Sequence, residues 1–209
     1  MNCSAISWNV RGLGRPEKVR AVRRLFMEHK PCFAFLQETK LSELYPVVDR
    51  KLFFSQGVEI VLSPSIGAAE GLISMWNRDA FVVSSLVVSQ RFVAITGHFK
   101  ILKIDCRFLN IYGPSVEAEK GQFFAEVTEF LDKNKQPWCV CGDFNAYLHP
   151  GEKCGGPVNV AAMEVFRRFI QESCLADITL KGGEYTWSNG KDPPTLVRLD
   201  RFLVNADFL

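Results

Sequence analysis

Apolar and polar positions alternate with two different periods along the chain. CSAISWNV (residues 3–10) and CFAFLQET (32–39) are short apolar runs bounded by polar groups, which predicts buried strands. Between Val58 and Phe99 the runs VEIVL, GLISMW, FVVSSLVV and RFVAITGHF read as further strands, and Gly, Pro, Ser and Asn between some of them suit hairpins or meanders. KIDCRFLNIYGP predicts a strand ending near Tyr112, WCVC one running into Asp143, and EYTWSNG and RLDRFLVN two closing β segments. Three other segments carry helical spacing. Pro16 suits a first helical turn, after which Val19, Val22, Leu25 and Phe26 share one face. Residues 117–135 place Phe123, Phe124, Val127, Phe130 and Leu131 on a buried face, and residues 160–174 do the same with Val165, Phe166, Phe169 and Ile170. Strand–helix–strand order at both ends of a β-rich middle predicts an α/β layered domain with helices outside packed sheets.

The polar groups fall at the ends of these strands. Asn9 follows ISW, Glu38 follows FLQ, Tyr112 follows LNI, Asp143 and Asn145 follow WCVCG, and Asp200 stands among apolar residues in VRLDRFLV. In layered α/β proteins the carboxyl ends of strands open on one crevice, where ligands bind. Three carboxylates meeting there require a cation or a shared proton, and oxygen ligands favour Mg²⁺ or Mn²⁺ over zinc. Asp143 and Asn145, two residues apart, point the same way if the backbone is still extended. Plainer readings stand beside these. A strand-end Asn or Gly-Asp-x-Asn serves as a turn or helix cap, a strand-end Glu as a surface residue, and Asp200 as the ion-pair partner of Arg198 or Arg201.

Composition changes this picture little. The 209 residues fit one domain spanning 1–209, and the net charge of +2 announces no polyanion. The charge is uneven, however: Arg11, Arg15, Lys18, Arg20, Arg23 and Arg24 face only Glu17, a patch that suits either phosphates or a solvated helix face. Seven cysteines without a CxxC pair read as reduced thiols, with Cys32, Cys106, Cys139 and Cys141 in the core of an intracellular protein, nuclear or cytoplasmic and not secreted. The N-terminus lacks the apolar stretch of a signal peptide, and no apolar run approaches the roughly 20 residues that span a bilayer, so no membrane partner is expected. RGLGR lacks the spacing of a phosphate-binding glycine motif.

SWNVRGLG, FLQETK, NIYGP, GDFN, YTWSN and RLDRFL stand in the order and approximate spacing of the endonuclease/exonuclease/phosphatase superfamily. The likeness spans nearly the whole chain and is nearest to the apurinic-type endonuclease domain of plant LINE-type (non-LTR) retrotransposon polyproteins. It implies a four-layer α/β sandwich of two packed mixed β-sheets flanked by helices. It also implies Mg²⁺-dependent (or Mn²⁺-dependent) phosphodiester hydrolysis: a monomer that nicks DNA, gripped by its phosphate backbone, with a reverse transcriptase downstream in the parent polyprotein. By the same resemblance Glu38 is the principal metal ligand and Asn9 shapes the metal and phosphate site. Tyr112 contacts the scissile phosphate, Asp143 orients or deprotonates the attacking water, and Asn145 holds the phosphate. Thr186 supports the site, Asp200 orients a catalytic histidine, and Arg11 and Arg15 touch flanking phosphates.

The chain departs from the family pattern in three places. The family's Ser-Asp-His motif lies beyond RLDRFL, and this sequence ends at VNADFL, so a missing last strand and crippled activity are expected. Arg11 stands where DNA-repair relatives carry an acid, and Val197 where many carry Ser. Among the histidines, His29 closes the first helix, His98 lies in a β segment, and His149 is expected to be exposed in the loop after GDFN. Two alternatives remain at this point: a phosphatase of the same superfamily, and a non-catalytic retroelement remnant.

Overall fold

The computed structural model describes residues 3–44, 57–66, 70–134 and 137–208. The chain forms two compact units, Met1–Tyr112 and Gly113–Leu209. Both mix helices with sheets, as the apolar periods predict.

The first unit contains β1 (Ala5–Asn9), α1 (Pro16–His29), β2 (Phe33–Gln37), β3 (Val58–Ser63), β4 (Leu72–Asn77), β5 (Phe81–Val88), β6 (Phe92–Phe99) and β7 (Asp105–Tyr112). β1 and β2 pair in parallel from Ala5↔Phe33 to Asn9↔Gln37, and α1, with Pro16 in its first turn, is the crossover that a parallel pair requires. β4 and β3 add antiparallel, giving a mixed sheet in the order β1-β2-β4-β3. β5, β6 and β7 form an antiparallel meander.

Strand period two divides β2 between two cores. Ala34 and Leu36 pack with Val22 and Phe26 of α1, together with Ile73 and Met75 of β4. Phe33 and Phe35 face the meander, where ring centroids lie 4.2 Å (Phe33–Phe108), 5.1 Å (Phe33–Phe81) and 5.8 Å (Phe35–Phe108) apart. Edge and tilted pairs of this kind add about 0.5–1.5 kcal/mol each beyond their area burial. Gln37 is the next residue on that face. It is fully buried and donates from Nε2 to Asn110 Oδ1 at 2.7 Å, so an amide pair closes the aromatic row.

The second unit contains α2 (Glu117–Asp132), β8 (Trp138–Asp143), a 3₁₀ turn at Pro150–Glu152, β9 (Lys153–Cys154), α3 (Val160–Glu172), β10 (Leu175–Asp177), β11 (Trp187–Ser188), β12 (Leu196–Val197) and β13 (Asp200–Asn205). β13 pairs antiparallel with both β8 and β10, while β11, β12 and β9 form a small separate sheet. Phe124 of α2 meets Phe166 and Phe169 of α3 at 5.2 and 4.8 Å, and Phe144 lies under Phe166 at 5.3 Å. The helices differ in detail from their sequence patterns. α2 ends at Asp132, and Lys135, expected within it, lies outside the described residues. Phe130 is half-buried against Trp138, and Met163 occupies the buried stripe of α3 while Val165 and Ile170 sit at its margins. The contact stripe of α3 runs i, i+3, i+6, narrower than the apolar face that its sequence offers.

All seven cysteines are free thiols, and Cys32, Cys106, Cys139 and Cys141 are buried as expected. Burial pushes the Cys141 thiol pKa well up, with a hydrogen bond and charge from Cys139 adding to it, so this thiol is an inert core residue.

A buried ion network ties β13 to its surroundings. Arg201, whose side chain has no exposure, pairs with Glu152 and, at 2.5 Å, with Asp177; Arg198 reaches the same two acids at 3.4 and 3.0 Å. Burial alone would raise the Glu152 pKa. The Arg201 hydrogen bond, the Leu148 N–H and the charges of Arg201 and Arg198 outweigh it and hold the carboxyl below its ordinary value of 4.5. A carboxyl depressed in the folded state contributes stability above its unfolded pKa and loses it as pH falls through the folded one. Arg201→Met should therefore cost about 3 kcal/mol at neutral pH in urea unfolding, because it removes the fully buried cation and leaves Arg198 alone to face both acids. The gap between variant and parent should narrow as pH drops below the ordinary carboxylate range; a gap independent of pH would remove Glu152 from the network.

Candidate active site

The sequence-predicted residues form two groups, one in each unit. In the first unit, the parallel register of β1 and β2 brings their carboxyl ends level at Asn9 and Gln37. The two chains stay paired as they leave the sheet: Val10 N–H donates to Gln37 O (3.0 Å), Gly12 to Glu38 O (2.7 Å) and Leu13 to Thr39 O (2.9 Å). Asn9 and Glu38 thus emerge on neighbouring strands. β2 ends one residue before Glu38, which adopts a left-handed conformation at φ 53°, as does Arg11 at φ 49°. Neither side chain favours that region, and such strain is held where surrounding bonds over-determine it. Asn9 Oδ1 accepts the Arg11 N–H at 3.0 Å, which turns the loop. Arg11 and Arg15 are exposed, as a phosphate contact requires.

Glu38 Oε1 lies 3.1 Å from Lys40 Nζ, with the glutamate side chain 19% exposed. A carboxylate and an amide oxygen on adjacent strand ends are hard donors, which suits Mg²⁺ or Mn²⁺. Among the described residues no group of three or more His, Cys, Asp or Glu is placed to hold a metal, so the expected meeting of three carboxylates at one ion does not appear. Magnesium does not require one, since it commonly takes one or two carboxylates and completes its shell with water and phosphate. Tyr112 ends β7, nearly buried, and its N–H donates to Arg91 O at 2.9 Å. Arg91 in turn pairs with Glu70 at 3.1 Å, and Gln90 Nε2 donates to the other Glu70 oxygen at 2.6 Å. Sequence reasoning missed Glu70, because a glutamate in a loop before glycine carries no periodic signal. It also passed over Gln37 and Asn110, although an amide inside an apolar run was a readable one.

In the second unit, β8 stops at Asp143, and Asn145 takes a left-handed conformation at φ 49°. The extended backbone that would align Asp143 and Asn145 by period two is therefore absent. An Asx turn joins them instead: Asp143 Oδ1 accepts the Asn145 N–H at 2.8 Å. Asn145 Nδ2 donates to Gly113 O at 2.8 Å, Lys120 Nζ to Asn145 O at 2.6 Å, and Gly113 N–H to Asp143 O at 2.7 Å. Asp200 opens β13, and the antiparallel register sets it directly across from Asp143. Thr186 Oγ1 accepts the backbone N–H groups of both Leu199 and Asp200 at 3.0 Å, fixing the strand start. Arg198 and Arg201, the ion-pair partners weighed for Asp200, are engaged by Glu152 and Asp177. His149 is exposed as expected, its Nδ1 3.3 Å from Arg167.

A profile of the endonuclease/exonuclease/phosphatase family matches residues 6–209. The chain belongs to the endonuclease/exonuclease/phosphatase family. Among curated proteins, none matches the sequence. Among solved structures the family member resembles the AP endonuclease LMAP of Leishmania major, with TM-score 0.75 and 17% identity over 98% of this chain and 78% of that one. It resembles the 3′ phosphatase NExo of Neisseria, solved with a product DNA hairpin, with TM-score 0.75 and 21% identity over 96% and 86% of the two chains. It also resembles the endonuclease domain of TRAS1, a telomere-specific non-LTR retrotransposon, with TM-score 0.73 and 12% identity over 99% and 86%. At these identities the likeness establishes the shared fold. Among the described residues of the family member, no helix is long and apolar enough to cross a membrane.

The Asp143–Asn145 turn depends on the absence of a side chain at Gly113, where a Cβ would stand 2.3 Å from Phe144 O. Gly113→Ala should destabilise the protein by at least about 1 kcal/mol in urea unfolding and raise hydrogen exchange at the Asn145 amide. Gly121→Ala, on helix α2 with open space around it, should instead stabilise by about 1 kcal/mol. Equal effects would mean that the close approach does not constrain the turn.

Proposed function

We propose that the chain is a divalent-metal-dependent phosphodiester hydrolase that nicks DNA, an endonuclease of non-LTR retrotransposon type. The observation that carries the reading is the Asx turn at the end of β8. Asp143 Oδ1 accepts the Asn145 N–H, which fixes the direction of the carboxylate at the strand end. Family membership and the DNA-hairpin complex of the Neisseria relative support a nucleic-acid substrate.

Each residue then has a task. Glu38 and Asn9 supply oxygens for Mg²⁺ or Mn²⁺, and the ion would neutralise and polarise the phosphate. Lys40, already against Glu38, balances that carboxylate and faces the same charge. Tyr112 donates its phenolic proton to a non-bridging phosphate oxygen. Asp143 orients the attacking water in line with the leaving oxygen. Asn145, with one amide proton on Gly113 O, offers the second to the phosphate. Asp200, with its own N–H on Thr186 Oγ1, is the carboxylate that steadies an imidazole. Arg11 and Arg15 grip flanking phosphates, which positions DNA without reading its sequence.

Two measurements test the proposal. Calorimetric titration should show Mn²⁺ binding to the parent chain, a loss of it in Glu38→Gln, and several-fold tighter binding in Lys40→Ala, where a competing cation is gone. Equal binding by parent and Glu38→Gln would remove Glu38 from the site. Joined after Leu209 to a segment carrying Ser-Asp-His, the chain should nick supercoiled plasmid in Mg²⁺ and leave it intact in EDTA, and Asp143→Asn should slow that nicking by ~10²–10⁴-fold. Hydrolysis of p-nitrophenyl phosphate without plasmid nicking would replace the endonuclease reading with the phosphatase one.

A further inference from the structure

The face between the two sheets of the first unit carries matched rows. β2 contributes Phe33, Phe35 and Gln37; β7 contributes Phe108, Asn110 and, next on the same face, Tyr112. Where the aromatic contacts end, the amides take over. Gln37 Nε2 donates to Asn110 Oδ1 at 2.7 Å and lies 3.1 Å from both Ser7 Oγ and Phe35 O. Asn110 Nδ2 lies 3.1 Å from Ile73 O and 3.0 Å from Ser74 Oγ. Gln37, Asn110 and Ser74 are all 0% exposed.

Packing does not explain these amides, because leucine or methionine would fill the same space without burying polar groups. The pair also carries a defect, since Gln37 Oε1 is buried without a hydrogen-bond partner. What the amides supply and hydrocarbon cannot is direction. Their bonds reach β1 through Ser7, β4 through Ile73 and Ser74, and β7 through Asn110, fixing the lateral position of each strand near one level. At that level β2 releases Glu38, and two residues beyond Asn110 is Tyr112. We infer that Gln37 and Asn110 are positioning residues that hold Glu38 and Tyr112 at a fixed separation for the phosphate and its metal. This rests on the roles proposed above for Glu38 and Tyr112.

The test uses three forms of the full chain: Gln37→Met, Asn110→Leu, and the exchanged pair Gln37→Asn with Asn110→Gln. Gln37→Met, matched in length, guards against failure of Asn110→Leu to fold. Hydrogen exchange on metal-free protein should accelerate tenfold or more at the amides of Gly12, Thr39 and Tyr112 in the single variants, while the Lys30 amide and those of the β5–β6 pair stay at parent rates. Mn²⁺ affinity should fall ~10–100-fold, the usual consequence of removing a group that orients a ligand. The exchanged pair, which keeps an amide–amide bond, should recover a large part of both. Site amides that exchange at parent rates in both single variants would overturn the inference. So would acceleration everywhere in proportion to lost global stability, which is the mark of a merely structural pair. If the parent itself binds no Mn²⁺, the metal reading fails, and the exchange pattern still decides whether the amides position the strand ends.

Discussion

The first unit depends on one constraint: two sheets packed through phenylalanine rings must stop packing where the chain has to present polar groups. The Gln37–Asn110 bond is where that change occurs. A buried amide pair adds only about 1 kcal/mol net, yet removing one partner leaves the other unsatisfied at about 1–3 kcal/mol. The asymmetry makes the pair a register lock. A slip of either strand by one residue would turn every side chain to the wrong face, and a slip by two would set a phenylalanine opposite an amide. Helix α1 then has a settled surface to cover, and the loops after β1 and β2 leave the sheet at one level.

Past that level the backbone carries strain instead of regular structure. Arg11, Glu38 and Asn145 are all left-handed, and only Asn takes that conformation readily. Each stands just beyond a strand end, and each is held by a bond to a neighbour that would be lost in an extended form: Asn9 Oδ1 for Arg11, Gly12 N–H for Glu38, Asp143 Oδ1 for Asn145. A turn chosen for stability alone would use glycine at these positions. Non-glycine side chains held there cost about 1–3 kcal/mol each, which the bonds around them must offset.

Much of this was legible in the residues. Strand and helix positions followed from the two apolar periods, and Asn9, Glu38, Tyr112 and Asp143 stood out as candidates because each interrupts an apolar run at its end. The alignment of Asp143 with Asn145 was misread, because period two holds only while the strand continues, and Asn145 lies in a turn that its own N–H bond to Asp143 creates. Asp200 was read as lying inside a strand. It opens one, and only antiparallel pairing, which is invisible in a linear pattern, sets it beside Asp143. The fates of Arg198 and Arg201 were unreadable for the same reason: their acids, Glu152 and Asp177, come from elements that the sequence alone does not bring near β13.

The pairing of Asp143 with Asp200 is the hardest feature to explain by folding. Like charges directly opposite on antiparallel strands destabilise a sheet, and the cost grows where water is scarce. Asp143 is 3% exposed. The two arginines that flank Asp200 in sequence, Arg198 and Arg201, are held by Glu152 and Asp177. At the strand end the Asp143 carboxylate accepts the Asn145 N–H, and the Thr186 hydroxyl accepts the backbone N–H of Asp200. A sequence under pressure only to fold would replace one aspartate with asparagine and keep the same turn. Two carboxyl groups set in register at the end of β8 are what the roles proposed for Asp143 and Asp200 require.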